Sequence, residues 1–470
     1  MASSSRTSTS SQRTSRLSGL LSVAILLASA GVVYGSVRLG IQLIFDPNAA
    51  TWLNRFLPDW TRIPTANQQL VQTLGDIKAV IRQSGFIPGE MMPLQRSDDK
   101  ATTPPAMVLP VMAPIAGCSD RHGCLQIVEL RVYQPVDIHG KPLDKVNPKK
   151  RAQFFWLISQ VTVTGPEESL VTAPISDAYA SGSGSSQSLP LTDIEIFQDQ
   201  APRLGIWLNL KGKYTRGSQP LFYGQVLHYN PETGYLGSLL SWSGTPSVPV
   251  WQEFTGGGLP ELVINHTIDL EPQYKVYRIK PRKFLLDPIQ LEPISLREPA
   301  ISTRAYQSIL TLAQSGLWTP ARLWLEAIKQ QIPAKQWTAD AQAQLDYIRL
   351  HAEVTSAQAK QQWGSVSEQI FVYLIDGQWA KAITAMQANL NAREDILTLL
   401  KTDSGRLWNR VTAALKVNPS RADVQFWGAL ILMSQQGKAR AMAWVRKQPG
   451  SDADYVKAIR LMNQLDPPQP

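Results

Sequence analysis

Two cysteines in 470 residues cannot build a disulfide framework, so a hydrophobic core must hold this chain together. Histidine is equally thin. His122, His139, His228, His266 and His351 stand singly, and none has a second histidine at metal-ligand spacing. Catalytic signatures are missing as well: there is no H-E-x-x-H, no G-x-x-x-x-G-K-[ST], no G-x-S-x-G and no G-x-G-x-x-G. Long apolar runs are scarce, and a single stretch could span a bilayer, which excludes a polytopic membrane protein. What remains is an ordinary folding composition, 43% hydrophobic and 18% charged, which excludes whole-chain disorder.

Charge divides the chain into unlike parts. Lys+Arg 46 against Asp+Glu 37 gives +9 overall. Residues 1–45 carry four arginines and no acid, 46–298 carry 23 basic and 24 acidic residues, and 299–470 carry 19 and 13. The excess therefore sits in a short N-terminal tail and in the C-terminal third. A uniformly basic chain would point to nucleic acid. This distribution points to membrane topology instead, and no nucleic-acid partner is expected.

The tail, 1–16, is Ser/Thr-rich and is expected to be disordered. It is followed by 21 uncharged residues bounded by Leu17 and Val37, long enough at about 1.5 Å per residue to cross the hydrocarbon core. Residues 17–45 are expected to be a transmembrane signal-anchor helix in contact with the lipid bilayer. Arg6, Arg13 and Arg16 before it favour a cytoplasmic N-terminus, which places the bulk on the exported side, in a periplasm or thylakoid lumen. The alternative is a signal peptide cleaved after Ala30, at Ala28, Ser29 and Ala30. Cys118 and Cys124, six residues apart, suit a local disulfide in an oxidising compartment. A metal site built from them and His122 lacks a fourth ligand.

Four further pieces follow the tail. Residues 17–45 are the anchor, and 46–105 are a juxtamembrane helix and linker, the helix expected over 66–83. The stretch 101–298 holds 20 of the 33 prolines, and residues 106–298 show short alternating runs between turn residues. These predict an antiparallel β domain, a sandwich or open barrel. Residues 299–470 show helix-length segments separated by single Gly or Pro breaks. The fold class is thus multidomain α+β: one transmembrane helix, an all-β middle and an all-α C-terminal region.

Within the last region Gly316, Trp318 and Ala321 recur as Gly377, Trp379 and Ala382, a period of 61. Gly closes one helix, the aromatic ring covers the turn, and the small Ala lets the next helix approach. This junction resembles that of tetratricopeptide (TPR) repeats, although their period is 34. The resemblance implies a helical-repeat domain that binds a protein partner. The layout as a whole resembles membrane-anchored envelope or thylakoid proteins of cyanobacteria. The expected function is a membrane-anchored interaction scaffold, with no cofactor and no metal. The alternatives are an exported enzyme with its site in the β domain, or a β domain that binds a lipid or small ligand. Around Trp251 to Val263 the sequence is similar to FG-GAP-type calcium loops, but Thr255, Gly256 and Gly257 stand where carboxylates would be needed.

Overall fold

The computed structural model describes residues 71–98, 103–118, 124–143, 153–179, 185–198, 200–216, 219–244, 248–267, 270–282, 288–450 and 452–465. The expected transmembrane segment between Leu17 and Val37 lies outside them. Among the described residues no helix is long and apolar enough to cross a membrane.

The middle of the chain is antiparallel throughout, in three sheets. The first holds β1 (Gln72–Thr73), β6 (Phe154–Thr162), β5 (Leu125–Val136), β4 (Met107–Pro114) and β2 (Ile87–Pro88) in that order, with β3 (Met92–Pro93) also on β4. The second is β10 (Tyr235–Gly244), β9 (Gln219–Asn230), β8 (Ile206–Arg216) and β7 (Asp193–Ile196). The third is β11 (Val250–Gln252), β12 (Glu261–Asn265), β13 (Tyr274–Pro281) and β14 (Ile289–Pro293).

The sheets stack, and the alternation of strand side chains shows how. Along β8, Leu208 and Leu210 join Val108, Leu130 and Val132 of the first sheet. The intervening Trp207, with Val226 and Trp242, joins Trp251, Leu262 and Ile264 of the third. The second sheet is therefore buried on both faces, which a simple two-sheet sandwich would not require. Helix α1 (Leu74–Gln83) covers the outer face of the first sheet through Ile77 and Ile81, against Leu109, Val111, Tyr133 and Phe155. It begins later than 66–83 implied. Thr73 is extended and caps the helix, accepting from Asp76 N while Asp76 accepts from Thr73 N. Since β1, β2, β3 and α1 are parts of the first layer, residues 72–93 belong to the β domain and are not a separate juxtamembrane piece. A short helix, α2 (Glu168–Tyr179), sits between β6 and β7.

Residues 304–465 are all helical: α3 (Arg304–Gln314), α4 (Trp318–Gln331), α5 (Ala339–Lys360), α6 (Val366–Ile375), α7 (Trp379–Ala388), α8 (Arg393–Thr402), α9 (Arg406–Val417), α10 (Ala422–Gln436), α11 (Lys438–Val445) and α12 (Asp452–Leu465). They share one core and close on themselves, for α9 returns to pack against α3. The reason lies in α10, where ten consecutive residues from Val424 to Met433 are buried. A helix apolar on every side must be surrounded, so an open row of helices could not accommodate it.

The helical region continues the β stack. Helix α5 lies on the third sheet, with Ala343 packed against Val263, Val276 and Ile294. Gln344 Nε2 donates to the carbonyls of Ser295 and Glu298 at 2.7 Å each, and Arg278 pairs with Asp340 at 2.7 Å. Two further basic residues at the end of β13 are engaged locally, Lys280 on Glu292 and Arg282 on Gln290.

Candidate functional site

Where the β12–β13 connection meets the helices, a cleft opens in two halves. The larger half, about 630 Å³, is walled by α9, the end of α3 and Glu271. The smaller, about 420 Å³, is walled by His266, Tyr274, Tyr347 and His351. Pro272, Gln273 and Trp318 border both halves.

The aromatic half is rigidly organised. Tyr274 N donates to His351 Nε2 at 3.1 Å, which leaves the proton on Nδ1 to be donated to Tyr347 O at 2.9 Å. Tyr347 Oη in turn donates to Tyr274 O at 2.8 Å. Trp318 lies flat on His351, with ring centroids 4.0 Å apart and planes 26° apart. Burial pushes His351 down to about 4 and, with Lys275 nearby, pushes His266 down to about 4. Both imidazoles are neutral near pH 7. His266 Nε2 is buried and has no hydrogen-bond partner among the described residues.

The other half is basic. Arg410, on the inner face of α9, is 3% exposed and lies 3.2 Å from Glu271 Oε1, and Arg406 approaches the same oxygen at 3.7 Å. Gly316 makes room for this arrangement. Its φ is +84°, and a Cβ there would stand 2.5 Å from Arg410 Nη2. Asp403 ends α8 and starts α9, accepting from Gly405 N and Leu407 N with one oxygen. Burial raises its carboxyl against those bonds and the two arginines.

The hydroxyls in this wall are tied to their own helices. Thr311 donates to Gln307 O, Ser315 to Leu312 O and Thr412 to Trp408 O. Neither half thus pairs a hydroxyl nucleophile with a base. Aromatic faces line one half of the cleft, and Arg406, Arg410 and Lys416 line the other.

Of the residues singled out from sequence, Gly316 and Trp318 line the cleft. Ala321, Trp379 and Ala382 are buried in the helical core. Gly377 (φ +73°) meets Pro320 and Leu317 of the first copy, so the two copies of the junction touch. Cys118 and Cys124 are joined in a disulfide at the β4–β5 connection, with Cα atoms 5.6 Å apart, and line neither half. In the glycine-rich turn, Glu261 is buried and accepts from Phe254 N and Thr255 Oγ1. No cluster of three or more metal-ligating side chains occurs among the described residues. Sequence reasoning missed Glu271, Arg406 and Arg410. Glu271 lies 139 residues from Arg410 in the chain, and no local motif marks them. Compared with known proteins, the chain matches no family model, no curated protein and no solved structure.

Proposed function

We propose that this protein is a membrane-anchored interaction scaffold. Residues 17–45 hold it in the bilayer, and the TPR-like helical region, on the exported side, binds a protein partner during assembly or maintenance of a complex. The observation that carries this reading is the cleft. Its lining of Trp318, tyrosines and arginines has the composition of interface hot spots, and it lies against a helical region fixed to a three-sheet base. A rigid body of this kind can present a preformed surface without ordering cost on binding.

The test is site-specific photo-crosslinking in membranes, followed by capture of the full chain in detergent. One probe replaces Trp318 at the cleft; a control probe replaces Val456 on α12, which is 53% exposed. The expected result is a single protein crosslinked from position 318 and not from 456. Crosslinks only to lipid or to random proteins, from both positions alike, would refute the scaffold reading.

A further inference from the structure

We propose that the basic half of the cleft docks an acidic peptide segment, and that Glu271 is the chain's own occupant of that site; the inference rests on the scaffold reading and names what the partner presents.

Cations outnumber the acids that line this half. Arg410 Nη1 also reaches Arg406 O at 3.4 Å, and Asp403 Oδ1 lies behind Arg406 without a hydrogen bond of its own. Arg406 and Arg410 converge on one carboxylate oxygen, Glu271 Oε1, although each guanidinium carries five N–H donors. Arg410 is almost fully buried, yet its Nε has no hydrogen-bond partner among the described residues. Arg406 Nε makes no hydrogen bond either; Asp403 Oδ1 lies 3.8 Å away. Lys416 adds a third, exposed cation to the same wall. Glu271 is the one acid among the described residues that line this half. A guanidinium short of acceptors is costly, and the part-exposed Arg406 and the exposed Lys416 are the cations that a carboxylate from outside can reach.

The layout favours a chain of carboxylates over a single small anion. Arg406, Arg410 and Lys416 are spread along ten residues of α9, about 15 Å at the helical rise, further than one phosphate reaches. Trp318, shared with the aromatic half, offers an apolar seat for a residue next to the acids. The long-range field agrees, since 299–470 hold 19 basic against 13 acidic residues. Glu271, on the loop between β12 and β13, supplies locally what the partner would supply in full. A partner's carboxylates would compete with it for Arg406 and Arg410.

The purified full chain in detergent is titrated with fluorescently labelled hexaglutamate at low salt and read by anisotropy. Hexalysine, inorganic phosphate and a short single-stranded DNA serve as comparison probes. Hexaglutamate is expected to bind, weakening as salt rises, while hexalysine does not bind. Arg406→Glu with Lys416→Glu should weaken binding at least tenfold; both side chains are exposed enough for the fold to persist, which circular dichroism checks. Glu271→Gln removes the internal competitor and should tighten binding several-fold. Absence of hexaglutamate binding, or binding indifferent to the double substitution, overturns the site. Phosphate or DNA that displaces the peptide stoichiometrically at equal charge overturns its assignment to a peptide. Looser binding in Glu271→Gln overturns the role given to Glu271. If a crosslinked partner is captured equally well by the double variant, the scaffold stands and this docking site falls. If hexaglutamate binds as described but no partner is ever crosslinked, the site stands and the scaffold falls.

Discussion

Trp318 is stacked on His351 at 4.0 Å, and the contact joins the start of α4 to the middle of α5 over the floor of the cleft. Its counterpart in the second copy, Trp379, is 1% exposed and fully enclosed in the helical core, with its carbonyl accepting from Trp427 Nε1 at 3.1 Å. Two tryptophans at matching positions thus have different work. Trp379→Ala should lower stability by about 3–5 kcal/mol, the range for a large core aromatic. Trp318→Ala should cost about half as much, because one side of its ring faces the cleft. Urea unfolding of both variants checks this; equal losses would show that Trp318 is a core residue.

His351 makes stability depend on pH. Its folded value, about 4, lies below the unfolded value of about 6.5. Between these values the unfolded chain holds the extra proton, so stability rises with pH. The contribution is full above about pH 6.5 and is lost as pH falls towards 4, by up to about 1.4 kcal/mol per pH unit for one group. His266 acts in the same direction over the same window. The buried Asp346, Asp403 and Glu261, whose carboxyls are raised, act oppositely nearer pH 4. Against this background His351→Gln should flatten the slope between pH 7 and 5 by close to one proton. Denaturant midpoints across that interval measure it, and an unchanged slope would mean His351 does not titrate there.

Much of the architecture is legible in the sequence, and the departures have local causes. Tyr235 to Trp242 and Leu221 to Tyr229 alternate clearly, and the turn at Asn230 to Gly234 joins them as β9 and β10. Strand β4 is harder to see because Pro110 and Pro114 interrupt it. It tolerates Pro110 because its outer neighbour is broken there: β2 pairs with Val111 and Met112, β3 with Met107 and Val108, and the gap falls opposite Pro110. Helix α2 is hidden by Pro174. The stretch 394–416 has one helical period, yet it splits where Gly405 takes φ +96° and Asp403 accepts from Leu407 N at the start of the next helix. The cleft was half legible. Gly316 and Trp318 stand out because a helix junction needs them, whereas Arg410 and Glu271 become partners only through the tertiary fold.

The glycines at the junctions can be ranked. Gly316 and Gly377 have positive φ and close neighbours, Arg410 Nη2 at 2.5 Å and Pro320 Cγ at 2.7 Å from a built Cβ. Gly405 has positive φ with nothing within 4 Å. Alanine at Gly405 should cost only the left-handed backbone term, about 1–2 kcal/mol. At Gly377 the ring of Pro320 cannot swing aside, so the loss should be larger by about 1–3 kcal/mol of overpacking. Gly316→Ala should fall between them, because the guanidinium is the end of a flexible side chain, but it should also disturb the Arg410–Glu271 pair. Thermal unfolding of the three variants gives the order, and a Gly405 loss equal to that of Gly377 would dismiss the steric part of the argument.

Asp376 binds the two copies of the junction into one unit. The residue is 0% exposed. Its Oδ1 accepts from Thr319 Oγ1 on α4 and from Thr355 Oγ1 on α5, and its Oδ2 accepts from Gln378 Nε2. Three helical elements therefore meet on one buried carboxylate, each through a charge-assisted bond of the stronger kind. Asp376→Ala would leave the Thr355 hydroxyl buried without this partner and open a polar hole beneath Gly377, at a cost of about 2–4 kcal/mol. Asp376→Asn keeps one oxygen for the two threonines but turns an NH2 group towards the Gln378 amide, whose own oxygen can rotate to accept from it. The asparagine variant should thus lose less than half of what the alanine variant loses. Thr355→Val, which removes one donor and keeps the shape, should cost about 1 kcal/mol. Combining Thr355→Val with Asp376→Ala should then give less than the sum of the two losses, since both remove the same hydrogen bond. Additive losses in that cycle would show that Thr355 and Asp376 are not coupled, and that the junctions are held by apolar packing alone.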